Sequence, residues 1–202
     1  MHPLFKRILQ PLLQPIIRFR GDRGSVYLTF DDGPHPERTP MALAALERAG
    51  AVATFFMAGA EAEKRPQLAR RVAEAGHAVG YHSYNHPHMR VLSTARQHEE
   101  LRGISRLEHV LERPVRLYRP PYGELTLSQL GWCLARGVRV VMWSLETGDS
   151  FATDAGAVAQ RTCAALRGGD IVLLHDDTAA AIDSLPLILE GVRRAGLSFG
   201  RL

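Results

Sequence analysis

Val26-Tyr27-Leu28-Thr29-Phe30-Asp31-Asp32-Gly33-Pro34 is the stretch on which the reading of this chain turns. It opens with a short apolar run that reads as a buried strand, and it closes in Gly-Pro, a turn signal. Two adjacent carboxylates therefore stand where a strand stops. Successive side chains of an extended chain point to opposite sides, so Asp31 and Asp32 are expected to meet different surroundings and to hold different roles. Taken alone, an Asp-Asp-Gly is a solvated turn. Three further stretches change its meaning: His82-Ser83-Tyr84-Asn85-His86, Arg119-Pro120-Pro121-Tyr122-Gly123 and Leu173-Leu174-His175-Asp176, each beside a strand or turn signal.

Outward from this stretch, short apolar runs alternate with helical patterns. Strands are expected over 26–30, 52–57, 78–79, 115–118, 138–143, 171–174 and 197–199. Between them, Thr39-Pro40 opens a helix with Thr39 as cap, and residues 61–74 form the next. A long helix runs from Thr94, paired with Gln97 in a capping box, to Pro114. Further helices cover 127–136, 155–167 and 185–195. Such alternation calls for a parallel sheet with helical crossovers. The fold class is α/β, a single domain of about seven parallel strands. No glycine-rich dinucleotide loop follows the first strand, which favours a closed or nearly closed (β/α) barrel over an open sheet. In barrels, reactive groups gather at the C-terminal ends of strands, and the polar motifs fall there.

The 202 residues suffice for one domain with a sizeable core, and 46% hydrophobic and 23% charged residues are ordinary for a globular protein. A net charge of +4 is too small to argue for nucleic acid, and no basic stripe is interleaved with aromatics. Cys133 and Cys163 fall within helical stretches and read as two thiols, not a disulfide framework. No run approaches the roughly 18–20 apolar residues of a membrane span. No signal peptide is seen, so the expected location is the cytoplasm.

Residues 1–24 form a leader ahead of a domain over 25–202. Leu4, Phe5, Ile8, Leu9, Leu12, Leu13, Ile16 and Ile17 recur at helical spacing among Lys6, Arg7, Arg18, Arg20 and Arg23, while Pro11 and Pro15 interrupt them. Two readings stay open. One is a basic amphipathic segment in peripheral contact with an anionic membrane face. The other is an extra helix packed on the domain.

His82 and His86 stand four residues apart, and Pro87 disfavours helix at His86, so a tight loop presents both rings. Two histidines alone are more often surface residues. With Asp32 they make a set of two nitrogens and one oxygen that suits zinc or, less selectively, cobalt, nickel or manganese. Three protein ligands leave positions open for water and substrate, as a catalytic metal site requires. His88 reads as a surface residue and not a ligand.

In their order, Thr29–Pro34, His82–Pro87, Arg119–Gly123, the region 143–150 and Leu173–Asp176 resemble the five motifs of the polysaccharide deacetylases, the NodB-homology family. The resemblance covers roughly residues 25–202. It implies a distorted (β/α) barrel and metal-dependent removal of acetyl groups from N-acetylated or O-acetylated sugars. Residue by residue, it implies Asp31 as general base, Asp32, His82 and His86 as ligands of one divalent ion, and Arg119 as partner of the base. His175 would be the general acid, tuned by Asp149. The backbone N–H of Tyr122 would help bind the oxyanion, and Leu173 would line the acetyl pocket. Pro120 and Trp143 fall beside these positions and are taken as substrate-binding.

Two departures stand in the fourth motif: the family often has Asp where Glu146 stands, and Trp where Ser150 stands. Phe151 is then left to wall the groove, or the groove is more open. The expected substrate is an N-acetylglucosamine unit of an oligosaccharide or glycan. The rivals are an O-acetyl sugar esterase, a small-amide hydrolase and a non-catalytic glycan- or membrane-binding protein. Asp31, Arg119 and His175 together speak against mere binding. No Gly-x-Ser-x-Gly is present, which disfavours a nucleophilic serine.

Overall fold

The structure is a computed structural model that describes residues 16–202. Among these residues nine strands form one sheet: β1 Ile17–Arg18, β2 Ser25–Asp31, β3 Thr54–Met57, β4 Ala78–Tyr81, β5 Leu117–Tyr118, β6 Arg139–Val141, β7 Leu145–Glu146, β8 Ile171–His175 and β9 Ser198–Phe199. Their order is β1-β6-β5-β4-β3-β2-β8-β7, with β9 also pairing with β2, and every pairing is parallel. The sheet curls into a distorted barrel that stays open between β1 and β7, its two end strands.

All seven expected strands are present, and β1 and β7 are additional. β1 comes from the expected leader. Ile17 and Arg18 pair with Val140 and Val141, and Ile17 and Phe19 are buried with the core. Residues 1–15, on which the two readings of the leader rest, lie outside the described residues.

Strand period decides which side chains enter the barrel. Along β2, Val26, Leu28 and Phe30 join the large apolar cluster under the helices. Tyr27 joins a smaller cluster with Phe56, Val141 and Ile171. Thr29 and Asp31 continue the Tyr27 side, which brings a buried carboxylate to the C-terminal end of the strand. Asp32 lies one residue past the strand, at φ 77°. The two aspartates do meet different surroundings.

Around the sheet lie α1 Arg38–Arg48, α2 Gly59–Lys64, α3 Pro66–Glu74, α4 Thr94–Arg102, α5 Ile104–Leu111, α6 Leu127–Ala135, α7 Ala155–Ala165 and α8 Ala179–Arg194. Several boundaries differ from the sequence reading. The helix expected over 61–74 is two, broken at Arg65 because Pro66 disfavours helical backbone in the residue before it. The long helix from Thr94 breaks at Gly103, where a side chain would collide with Tyr81 and Tyr84. Ser93, not Thr94, caps α4, and Thr39 lies inside α1 instead of capping it. α8 begins well before Leu185 and carries Pro186 in its interior. Its buried Leu185, Ile188, Leu189 and Val192 show packing outweighing local propensity.

Candidate active site

Strand register assembles the site. Asp31 ends β2 directly opposite His175, the end of β8. Tyr81 of β4 pairs with Tyr118 of β5, so His82 and Arg119 leave the sheet side by side. All the motifs thus meet at the C-terminal mouth of the barrel. A cleft of about 320 Å³ opens there, lined by Asp31, Asp32, His82, His86, Pro120, Tyr122, Trp143, Leu173 and His175, together with Glu146, Ser150 and Phe151. Of the expected site residues, only Arg119 and Asp149 do not line it. Both are buried behind its wall.

Arg119 has no exposed surface. Its Nη1 donates to Asp31 Oδ1 at 2.7 Å and to Thr29 Oγ1 at 2.8 Å, and Nη2 donates to the Met142 carbonyl at 3.2 Å. The guanidinium lies 4.2 Å from the Phe56 ring centroid. Burial raises the pKa of Asp31, while the charge and hydrogen bond of Arg119 pull it down; the net shift is upward. A buried carboxylate with one oxygen held and the other facing His82 has the setting of a proton acceptor.

Asp32 Oδ1 lies 3.2 Å from His86 Nε2 and 3.5 Å from His82 Nε2. One ligand atom from each of the three residues falls within 4.8 Å of the others. Asp32 Oδ1 is buried with no hydrogen-bond partner, an oxygen short of a cation or donor. His82 Nδ1 lies 2.8 Å from the Arg119 carbonyl. That contact needs the proton on Nδ1 and leaves the Nε2 lone pair facing Asp32, which is how a ligating histidine is oriented. Burial pushes the pKa of His82 down to about 3, so the ring is neutral, the form that binds metal. The donor set therefore fits one divalent ion. Asp32, Ser83, His86 and Tyr122 all have positive φ without being glycine, and such strain persists where the surroundings fix it at a functional site.

On the opposite side, His175 Nδ1 lies 3.2 Å from both Asp149 oxygens, and the His175 amide donates to Asp149 Oδ2 at 3.0 Å. Burial works against a charged His175. The Asp149 hydrogen bond and the charges of Asp31, Asp149 and Asp32 outweigh it and push the pKa up to about 9. Nδ1 is engaged, so Nε2 is the nitrogen left for the cleft.

Several residues of the site carry no sequence signal of their own. Thr147 and Thr178 donate to Asp149 at 2.7 and 2.8 Å, and Ser150 Oγ lies 2.9 Å from His175 Nδ1. Where the family often has Trp, this chain thus sets a hydroxyl on the ring of the expected acid. His88, read as a plain surface residue, stacks on Tyr122 at 3.8 Å. Asp176 is buried behind the Asp32–Gly33 turn and accepts from Thr39. Thr147 lies inside the fourth motif and Thr178 two residues past the fifth, but nothing in either position marks it as a partner of Asp149.

Known proteins resemble this chain in sequence and in fold. The family described as polysaccharide deacetylase matches residues 20–136. A peptidoglycan-N-acetylglucosamine deacetylase of Bacillus cereus is 32% identical over 186 residues, 88% of this chain and 66% of that protein. A chitooligosaccharide deacetylase of Sinorhizobium fredii is 37% identical over 154 residues, 75% of this chain and 72% of that one. Among solved structures, a family 4 carbohydrate esterase from Streptomyces lividans in complex with acetate superposes with a TM-score of 0.82 at 33% identity, covering 89% of this chain and 93% of that chain. A family 4 pseudoenzyme from Bacillus anthracis also superposes, with a TM-score of 0.87 at 26% identity over 93% of this chain and 68% of that one. The fold alone therefore does not distinguish catalysis from its absence. The side chains in the cleft must.

Proposed function

Since this chain belongs to the polysaccharide deacetylase family, we propose that it is a metal-dependent hydrolase removing acetyl groups from N-acetylglucosamine units of an oligosaccharide or glycan. One observation carries the reading: Asp31 and His175 face each other in register on neighbouring strands, with the Asp32–His82–His86 set beside them.

Asp32, His82 and His86 would hold the ion, zinc first and cobalt, nickel or manganese after it, on the strength of two nitrogen donors and one oxygen. When bound, it supplies Lewis acidity that polarises the acetyl carbonyl and makes the attacking water more acidic. Asp31 accepts the proton of that water, and Arg119 fixes its Oδ1 so that Oδ2 is the receiving oxygen. The Tyr122 N–H helps hold the oxygen on which negative charge develops. His175, kept protonated by Asp149, delivers the proton at Nε2 to the departing sugar nitrogen. Leu173 and Trp143 bound the space for the acetyl methyl, and Pro120 and Tyr122 border the sugar.

The test is to incubate the zinc- or cobalt-loaded protein with N-acetylated chitooligosaccharides and to measure acetate and free amine beside a chelated control. Equal release of both, abolished by chelation, is the expected result. Acetate from O-acetylated but not N-acetylated sugars would instead favour the esterase reading, which the likeness to a carbohydrate esterase supports. Metal binding without acetate from either would refute both.

A further inference from the structure

The loop between the two expected histidine ligands has few bonds of its own. Ser83 and His86 lie at φ 65° and 56°, so the loop makes neither helix nor strand, and its backbone groups must find partners elsewhere. The N-terminus of α2 takes two carbonyls: the Gly59 amide donates to Ser83 at 2.9 Å and the Ala60 amide to Tyr84 at 3.1 Å. Ser83 Oγ accepts from the His86 amide at 3.0 Å. Three further donors, the amides of Tyr84 and Asn85 and the side chain of Asn85, converge on one carboxylate. Glu100 Oε2 accepts from the amides of Tyr84 and Asn85, both at 2.9 Å, and Glu100 Oε1 accepts from Asn85 Nδ2 at 2.8 Å. The helix that carries Glu100 is itself tied to this strand end, because the Tyr81 hydroxyl donates to the Glu100 carbonyl. Helix α4 stops at Gly103, whose lack of a side chain lets the chain pass against Tyr81 and Tyr84.

We infer that Glu100, a residue of α4 that neither lines the cleft nor supplies a ligand atom, is the positioning residue for the metal: its carboxylate clamps the His82–His86 loop in the conformation that brings His86 Nε2 to Asp32. The inference rests on Asp32, His82 and His86 as the ligand set. Fixing a ligand in advance removes an ordering cost from binding, and the loss of a group that orients a ligand typically costs about 10- to 100-fold in affinity. Without the carboxylate, two backbone N–H groups and the Asn85 side chain lose their acceptor, and the loop keeps only the α2 amides, the Ser83 hydroxyl and the ring contacts of His86 with His82 and Tyr122.

The experiment is a zinc titration of the full chain in competition with a chromophoric chelator, for wild type, Glu100→Ala, Glu100→Asp and Glu100→Gln. Glu99→Ala, on the exposed side of the same helix turn, serves as the control. Glu100→Ala should weaken zinc binding about 10- to 100-fold. Glu100→Asp, which withdraws the carboxylate by one methylene, should act in the same direction if the alanine variant fails to fold. Glu100→Gln should restore most of the affinity, because its one carbonyl oxygen serves both backbone amides and the Asn85 side chain can turn to present its oxygen. At saturating zinc, the kcat of Glu100→Ala should recover towards that of wild type. Glu100→Ala, or Glu100→Asp in its place, folded and binding zinc as tightly as wild type overturns the inference and leaves the metal site standing. A wild-type chain that binds no zinc overturns the ligand set and the inference with it.

Discussion

His82 and Arg119 are joined twice over: the ring of His82 donates to the Arg119 carbonyl at 2.8 Å, and the guanidinium of Arg119 holds Asp31, whose other oxygen lies 3.6 Å from His82 Nε2. One residue thus orients an expected metal ligand through its backbone and the expected base through its side chain. Replacing Arg119 by Met leaves the first contact intact and strips the second. A buried charge left without its partner typically costs about 3–5 kcal/mol, so urea unfolding at neutral pH should show a loss of that order. Zinc affinity should fall less than activity. A variant as stable as wild type would mean that Asp31 finds another partner.

Base and ligand should separate cleanly by substitution. Asp31→Asn removes a proton acceptor while Asp32, His82 and His86 remain. Activity should drop by about 10²- to 10⁴-fold with zinc content unchanged in a dialysed sample. His86→Ala should lose zinc and activity together. If Asp31→Asn emptied the site of zinc as thoroughly as His86→Ala, Asp31 would be a ligand and not the base.

The Asp149–His175 pair sets a pH limit. An acid must be protonated to act, and the pKa of about 9 at His175 places the loss of the proton on the alkaline side. Against burial, the hydrogen bond of Asp149 and the charges of Asp31, Asp149 and Asp32 hold it there. Asp149→Asn should move the alkaline limb of the kcat/KM profile to lower pH, whereas Ser150→Ala, with the carboxylate in place, should move it less. The limb staying put in Asp149→Asn would remove Asp149 from this role.

Asp176 should act on stability with the opposite sign from a salt-bridged aspartate. Burial, abetted by the charges of Asp177 and Asp32, raises its pKa to about 7 against hydrogen bonds from Thr39 and Gly33. The folded chain then holds a proton that the unfolded chain, with a pKa near 3.8, releases earlier. Stability from this group is present below the unfolded value and is lost as pH rises towards 7. In chelator-treated protein, Asp176→Asn should flatten the fall in stability between about pH 4 and 7 relative to wild type. Parallel curves would assign that slope to other groups.

Phe151 stands 92% exposed on the lip of the cleft, one residue beyond the position where the family often has Trp. It supports little of the fold, so Phe151→Ala should change stability by less than about 0.5 kcal/mol. A rise in KM for chitooligosaccharides, with kcat nearly kept, would mark it as a surface for the sugar ring. No change in KM would leave the groove open on that side.

The place of the candidate site was more legible in the sequence than the joints of the fold. Asp31, Asp32, His82, Arg119 and His175 could be picked out because they stand at or just past the end of an apolar run, and strand ends of one parallel sheet share one rim; His86 came from its spacing to His82, and the joint order of the motifs tied the set together. β1 escaped because Ile16 and Ile17 fit the helical spacing of the leader, and β7 because Leu145–Glu146 holds one apolar residue and no run to detect. The break at Gly103 was hidden because its cause, Tyr81 and Tyr84 pressing from another element, is tertiary. Glu100 has no mark in the sequence, since nothing local says that a loop fifteen residues earlier will need its oxygens.

The pairing of Ile17–Arg18 with Val140–Val141 has a practical consequence for trimming the chain. Removing residues 1–24 to ask whether the leader touches lipid would also unzip β1 and uncover the rim of β6, along with the apolar sites of Ile17 and Phe19. Unpaired strand rims of this kind recruit other chains. Such a truncation would tend to clump, and its sedimentation with vesicles would then report self-association. A cut after residue 15 separates the two questions, because it keeps the sheet whole while taking away the apolar and basic residues from Leu4 to Leu13.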